Sequence, residues 1–159
     1  MSIRLEASTE IEAPPPAVWD VLIDWPGQSR WIPLTTVRVI TDRQVGLGVR
    51  AEVLSGVWLG RIPLGLLDRF IVTGWSPPVA DTAVLEILHL GPYFTGEGAF
   101  RLLGRDGKTS VSCTEVFSVP GGRPVEWLVR LAVPALHVGF ARSLRALGAV
   151  VEAQGAARS

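Results

Sequence analysis

The chain has little of what reactive sites are usually built from: its 159 residues include one cysteine, one tyrosine and two histidines. The single thiol, Cys113, excludes an internal disulfide and any metal site needing several cysteines, and it says nothing of compartment. The two histidines, His89 and His137, lie far apart in sequence and give no metal-ligand spacing, so neither a metal nor a cofactor is expected. Neither G-x-S-x-G nor H-E-x-x-H occurs, and no glycine-rich phosphate loop opens a helix after a strand. A surplus of one charge is missing too. Lys+Arg and Asp+Glu stand at 15 each, so no general field draws nucleic acid, and no nucleic-acid partner is expected. The longest uncharged apolar run, Leu131 to Ala141, is about half of what a membrane span needs. No basic segment followed by an apolar run opens the chain, so no signal peptide is expected and the cytoplasm is the expected compartment.

What the chain does have is apolar surface. Hydrophobic residues make up 48% and charged residues 19%, a greasy balance that needs a use. No internal repeat, low-complexity tract or linker divides residues 1–159, so a single domain is expected. The longest apolar pattern is the last one. From Pro124 to Gln154, residues Val125, Leu128, Val129, Ala132, Leu136, Phe140, Leu144, Leu147 and Val151 fall on one stripe at helical spacing. Pro134 sits inside this stripe, where it removes a backbone donor and is expected to kink or split the helix.

Upstream, the periodicity is mostly that of strands. Ile3 to Glu12 alternates apolar and polar side chains, and Ala13-Pro14-Pro15-Pro16 then stops the strand and opens a short helix. A second helical segment is predicted from Gln28 to Ile32. Strands follow at Thr35–Thr41, Val49–Val57, Asp68–Trp75, Thr82–Leu90, Tyr93–Leu103 and Lys108–Ser118. Gly91-Pro92 as a tight turn would set His89 opposite Phe94 and Ile87 opposite Gly96. Asp106-Gly107, a type I′ signal, would set Phe100 opposite Cys113 and Gly98 opposite Glu115. Both turns put the same residues on one inner face, among them Leu85, Ile87, His89, Phe94, Phe100, Cys113, Glu115 and Phe117. Gly96 and Gly98 leave the middle of that face without side chains, which marks a sharply curved sheet, space for a ligand, or both, since the two readings are compatible.

The order strand, two short helices, six strands and long terminal helix resembles the helix-grip fold of the START-like superfamily (SRPBCC). Its opening, Ile11 to Asp24, looks like the family pattern I-x-A-P-x-x-x-V-W-x-x-L-x-D, and Trp31-Ile32-Pro33 is similar to the W-x-P that follows it. Val45-Gly46-Leu47-Gly48, Gly74-Trp75-Ser76-Pro77-Pro78 and Phe94 to Phe100 continue the match. Within the superfamily the chain looks most like the bacterial polyketide cyclase/dehydrase and lipid-transport group. The resemblance implies an α+β domain, a curved antiparallel sheet of about seven strands wrapped on the C-terminal helix. It also implies a deep, largely apolar cavity between the two. Relatives include carriers, cyclases, aromatases and proteins of unknown role, so fold alone does not assign function.

Two polar residues on the inner face are the candidates for chemistry. His89 is either a rim histidine held by hydrogen bonds or an acid/base group that anchors a ligand carbonyl. Glu115 on an apolar face requires a partner, a raised pKa or a wet cavity. Around them, Trp31, Ile87, Phe94, Gly96, Gly98 and Phe100 are expected to line a ligand cavity. Cys113 and Phe117 from the last strand, and Leu136 and Phe140 from the helix, would complete it, with Phe140 facing the glycine gap. The favoured expectation is a binder or carrier of a lipid, polyketide or aromatic compound. The alternative is a cyclase, aromatase or dehydratase in which His89 or Glu115 moves protons. The segment Trp58–Leu67 is unusually apolar, and reads as a portal lip, a homodimer surface, a membrane-touching loop or a plain continuation of a strand with its apolar half buried.

Overall fold

Proline decides the first turn of the chain. In the computed structural model, which describes residues 2–59 and 62–157, strand β1 (Ser2–Ile11) ends at the proline run and helix α1 (Pro15–Leu22) begins there. Proline's fixed φ suits the first helical turn, where its missing N–H costs nothing. Val18, Trp19, Val21 and Leu22 turn inward from α1 and are buried. The second helical segment is a 3-10 turn, Pro26–Arg30, beginning two residues earlier than predicted.

The remaining strands are β2 (Thr35–Val39), β3 (Arg50–Leu59), β4 (Ile62–Val79), β5 (Thr82–Pro92), β6 (Thr95–Arg105) and β7 (Lys108–Ser118). They form one antiparallel sheet in the order β1-β7-β6-β5-β4-β3-β2. Helix α2 (Gly122–Ala156) closes the chain and packs chiefly on β1 and α1. It is continuous through Pro134, so the predicted split does not occur.

The Asp106-Gly107 turn has positive φ at both residues, as type I′ requires, and Phe100↔Cys113 and Gly98↔Glu115 pair as predicted. At the other turn the register differs by two residues: His89 faces Gly96, and Ile87 faces Gly98. The loop there spans residues 91–94, because β5 keeps pairing with β4 through Pro92 after its pairing with β6 has ended at Leu90↔Thr95. A slip of two preserves which face each side chain takes, so the predicted inner face survives. Leu85, Ile87, Phe100, Leu102, Val111 and Cys113 are all buried.

The segment predicted as an apolar connection is a strand continuation. β3 and β4 run on as a long hairpin, within which Gly60 and Arg61 lie outside the described residues. Its apolar half is not buried, however: Ile62, Leu64 and Leu66 are exposed. Gly56 and Gly65 face each other there, and a Cβ on Gly56 would meet the Leu64 carbonyl oxygen at 2.2 Å. Only two glycines fit so close an approach.

The terminal helix divides in two. Leu144, Leu147 and Val151 are buried in the core with Ile11, Val18 and Leu22. The Glu12 N–H donates to Glu152 Oε1 at 3.1 Å, which ties this end of the helix to the end of β1. The first half of the stripe is bare by contrast, with Leu128, Ala132 and Leu136 exposed.

Candidate functional site

Between the bare and buried halves of α2, a cavity of about 210 Å3 opens against the sheet. Trp25, Trp31, Phe70, Phe94, Phe100 and Phe140 supply aromatic walls, and Val53, Leu66, Leu85, Ile87 and Leu144 supply aliphatic ones. Three ionisable side chains reach it, each from a different strand: Asp68 from β4, His89 from β5 and Glu115 from β7. His89 Nδ1 lies 2.5 Å from Asp68 Oδ2, and His89 Nε2 lies 3.1 Å from Glu115 Oε2.

The glycines of β6 explain how this row assembles. Neighbouring strands lie ~4.8 Å apart, so side chains on β5 and β7 are ordinarily kept apart by whatever projects from β6. Opposite Glu115 that residue is Gly98, and a Cβ there would come within 2.5 Å of Glu115 Oε1. The carboxylate therefore lies over the glycine and extends across β6 to the imidazole. A Cβ on Gly96 would meet the Val116 carbonyl oxygen at 2.1 Å, so that position is closed by backbone. The gap foreseen as open ligand space is thus occupied by Glu115 at Gly98 and by β7 at Gly96. Asp68 comes within reach of His89 through a register shift between Arg69 and Phe70.

Burial is the largest influence on His89 and alone would lower its pKa. Its hydrogen bonds to Asp68 and Glu115, with the attraction of both charges, outweigh burial and raise it from 6.5 to about 9. The imidazole is therefore a cation at neutral pH, clamped at both nitrogens. Burial, with the nearby Glu115 charge, pushes the Cys113 thiol up, which leaves it a core thiol rather than a nucleophile. Asp68 Oδ1 and the indole Nε1 atoms of Trp25 and Trp31 are buried without a hydrogen-bond partner among the described residues. Among those residues no group of three His, Cys, Asp or Glu side chains is arranged to hold a metal ion.

Of the residues expected at the cavity, Trp31, Ile87, His89, Phe94, Phe100, Glu115 and Phe140 line it. Cys113 lies in the core, and Phe117 stands behind the wall, edge-on to Phe94 with ring centroids 5.7 Å apart. Leu136 is on the exposed half of the helix, so it falls outside the lining. Asp68 was missed. Its signal was present, since it is in phase with Phe70 and Val72 along an alternating strand and so turns inward with them.

A seven-stranded antiparallel sheet closed on a long C-terminal helix, with an apolar cavity between, is the helix-grip fold of START-like proteins. Solved structures with this fold include the Zhui aromatase/cyclase from a Streptomyces species, at 16% identity and a TM-score of 0.69, covering 96% of this chain and 94% of that one. Ara h 8.0201 matches at 16% identity and a TM-score of 0.64, with 96% and 99% covered. A norcoclaurine synthase from Thalictrum flavum, held with a transition-state analogue, matches at 12% identity and a TM-score of 0.65, with 98% and 97% covered. At such identities the likeness is one of fold. No family model and no curated protein matches the sequence.

Proposed function

We propose that this protein binds or carries a hydrophobic small molecule, a lipid, polyketide or aromatic compound, in the cavity between sheet and terminal helix. The observation that carries this reading is the cavity's composition: aromatic and aliphatic walls surround one short row of charged groups. Apolar burial supplies affinity and the polar row orients one end of the ligand. Ligand pockets commonly measure ~300–1,000 Å3. At about 210 Å3 the space suits a compact ring system, or one end of a longer molecule. The carrier acts in the cytoplasm, and no helix among the described residues is long and apolar enough to cross a membrane. Native mass spectrometry of the purified protein, with organic extraction, is expected to release an apolar compound. A protein that stays empty and takes up no aromatic or lipid ligand overturns the reading.

A second reading, a polyketide cyclase, aromatase or dehydratase, draws support from the convergence of His89 and Glu115 on one accessible cavity. Against it, both nitrogens of His89 are already engaged, which leaves the imidazole no free site for accepting a proton. Turnover of a polyketide-like chain that is lost in Glu115→Gln would favour it. The exposed Ile62, Leu64 and Leu66 offer a further surface for a homodimer or a transient membrane contact, and a dimer lost on Leu66→Asp would establish the former.

A further inference from the structure

The charge of the cavity is less ordinary than its shape. Asp68 and Glu115 bring two carboxylates, and His89 returns one positive charge when protonated, leaving a formal excess of one negative charge. The pKa of about 9 at His89 places that proton on the ring at neutral pH. No lysine or arginine among the described residues lines the cavity, and its other polar residues, Gln28, Thr35, Ser55 and Ser143, are neutral. The nearest arginine in sequence, Arg69, is bound to Glu52 at 3.1 Å, so it does not balance the excess.

The second observation is a vacant acceptor. Asp68 is 5% exposed, and its Oδ1 has no partner while Oδ2 holds His89. A buried carboxylate oxygen without a donor is costly, and a carboxylate can only accept. The unpartnered indole N–H groups of Trp25 and Trp31 pull the other way, towards an acceptor on the ligand. The charge outweighs them, because an unbalanced buried charge costs far more than an unpaired neutral donor. The aromatic walls add to the attraction for a cation through their ring faces.

We infer that the cavity selects a ligand whose polar end is an ammonium group carried on a compact aromatic body. The ammonium donates to Asp68 and completes the charge balance of the Asp68–His89–Glu115 row. This rests on the reading that the cavity binds an apolar small molecule, and names which class of such molecules it prefers.

Three ligands of similar shape separate the cases: 1-naphthylmethylamine as cation, 1-naphthylmethanol as neutral analogue and 1-naphthoate as anion. Calorimetry on the full chain at pH 7 is expected to rank the amine about tenfold or more above the alcohol, the worth of one charge-assisted hydrogen bond. The carboxylate should bind weakest. In Asp68→Asn the amine and alcohol should come within about threefold of each other, while the alcohol keeps its affinity. Glu115→Gln should narrow the gap in the same direction, and serves if Asp68→Asn does not fold. An alcohol or carboxylate that binds wild type as well as the amine overturns the inference and leaves the apolar-ligand reading standing. Failure of all three to bind overturns the inference, and overturns the apolar-ligand reading as well when organic extraction also finds the protein empty and no lipid is taken up.

Discussion

The two halves of α2 carry one continuous apolar stripe and have opposite fates. Leu147 is 0% exposed, while Leu128, on the same helix and in the same pattern, is 60% exposed. The difference lies in what each half meets. The C-terminal half fits against β1 and α1, where Ile11, Val18 and Leu22 close around it. The N-terminal half passes the cavity and continues without an equivalent partner among the described residues. A stripe of apolar residues states that a surface wants covering, but not whether protein, ligand or another molecule covers it.

The sharpest way to break this comparison is to truncate both ends. Leu147→Ala should destabilise the fold by about 2–5 kcal/mol in chemical denaturation, since it leaves a cavity in a closed core. At Leu128 the same truncation should change stability by less than about 0.5 kcal/mol. Equal losses at the two sites would show that the whole helix is packed.

Next in size is the pH dependence of the site between the halves. The pKa of His89 is raised on folding, so its stabilisation is fully present below 6.5 and is lost as pH rises through about 9. The span corresponds to a loss on the order of 3 kcal/mol across that window. Denaturation curves between the two limits should show it in wild type, and a reduced loss in Glu115→Gln. Stability that rises over the same window would contradict the clamped imidazolium.

Smaller again is Gly98→Ala. The added methyl meets first the carboxylate end of the Glu115 side chain, which can shift, so the cost in stability should be about 1 kcal/mol. The signature is electrostatic: with Glu115 displaced and Asp68 still on Nδ1, the His89 pKa followed by NMR should drop part of the way from about 9 towards 6.5. An unchanged titration would mean that the glycine does not admit the carboxylate.

Much of this was legible in the sequence, and the parts that were not share a cause. The inner face of β5 to β7 could be read because alternation has a period of two, which a register error of two residues leaves intact. His89 and Glu115 were found because ionisable residues stood in phase with apolar ones. Their contact could not be read, since it depends on Glu115 crossing a whole strand over Gly98. Asp68 was hidden by its position at the supposed start of a strand, whereas β4 begins six residues earlier, at Ile62, and Asp68 lies well inside it. The exposure of Leu128 and Leu136 was out of reach for a different reason. Helical periodicity fixes a face and says nothing of where along its length the partner ends.

The central claim is that the Asp68–His89–Glu115 row forms the polar end of a ligand cavity. NMR of the two histidine rings during titration with 1-naphthylmethylamine tests it directly. The account predicts a saturable shift of the His89 resonances, with His137 unmoved. Saturable binding that leaves His89 still while shifting His137, on the half of the helix that carries the exposed Leu128 and Leu136, would place the ligand there and contradict it.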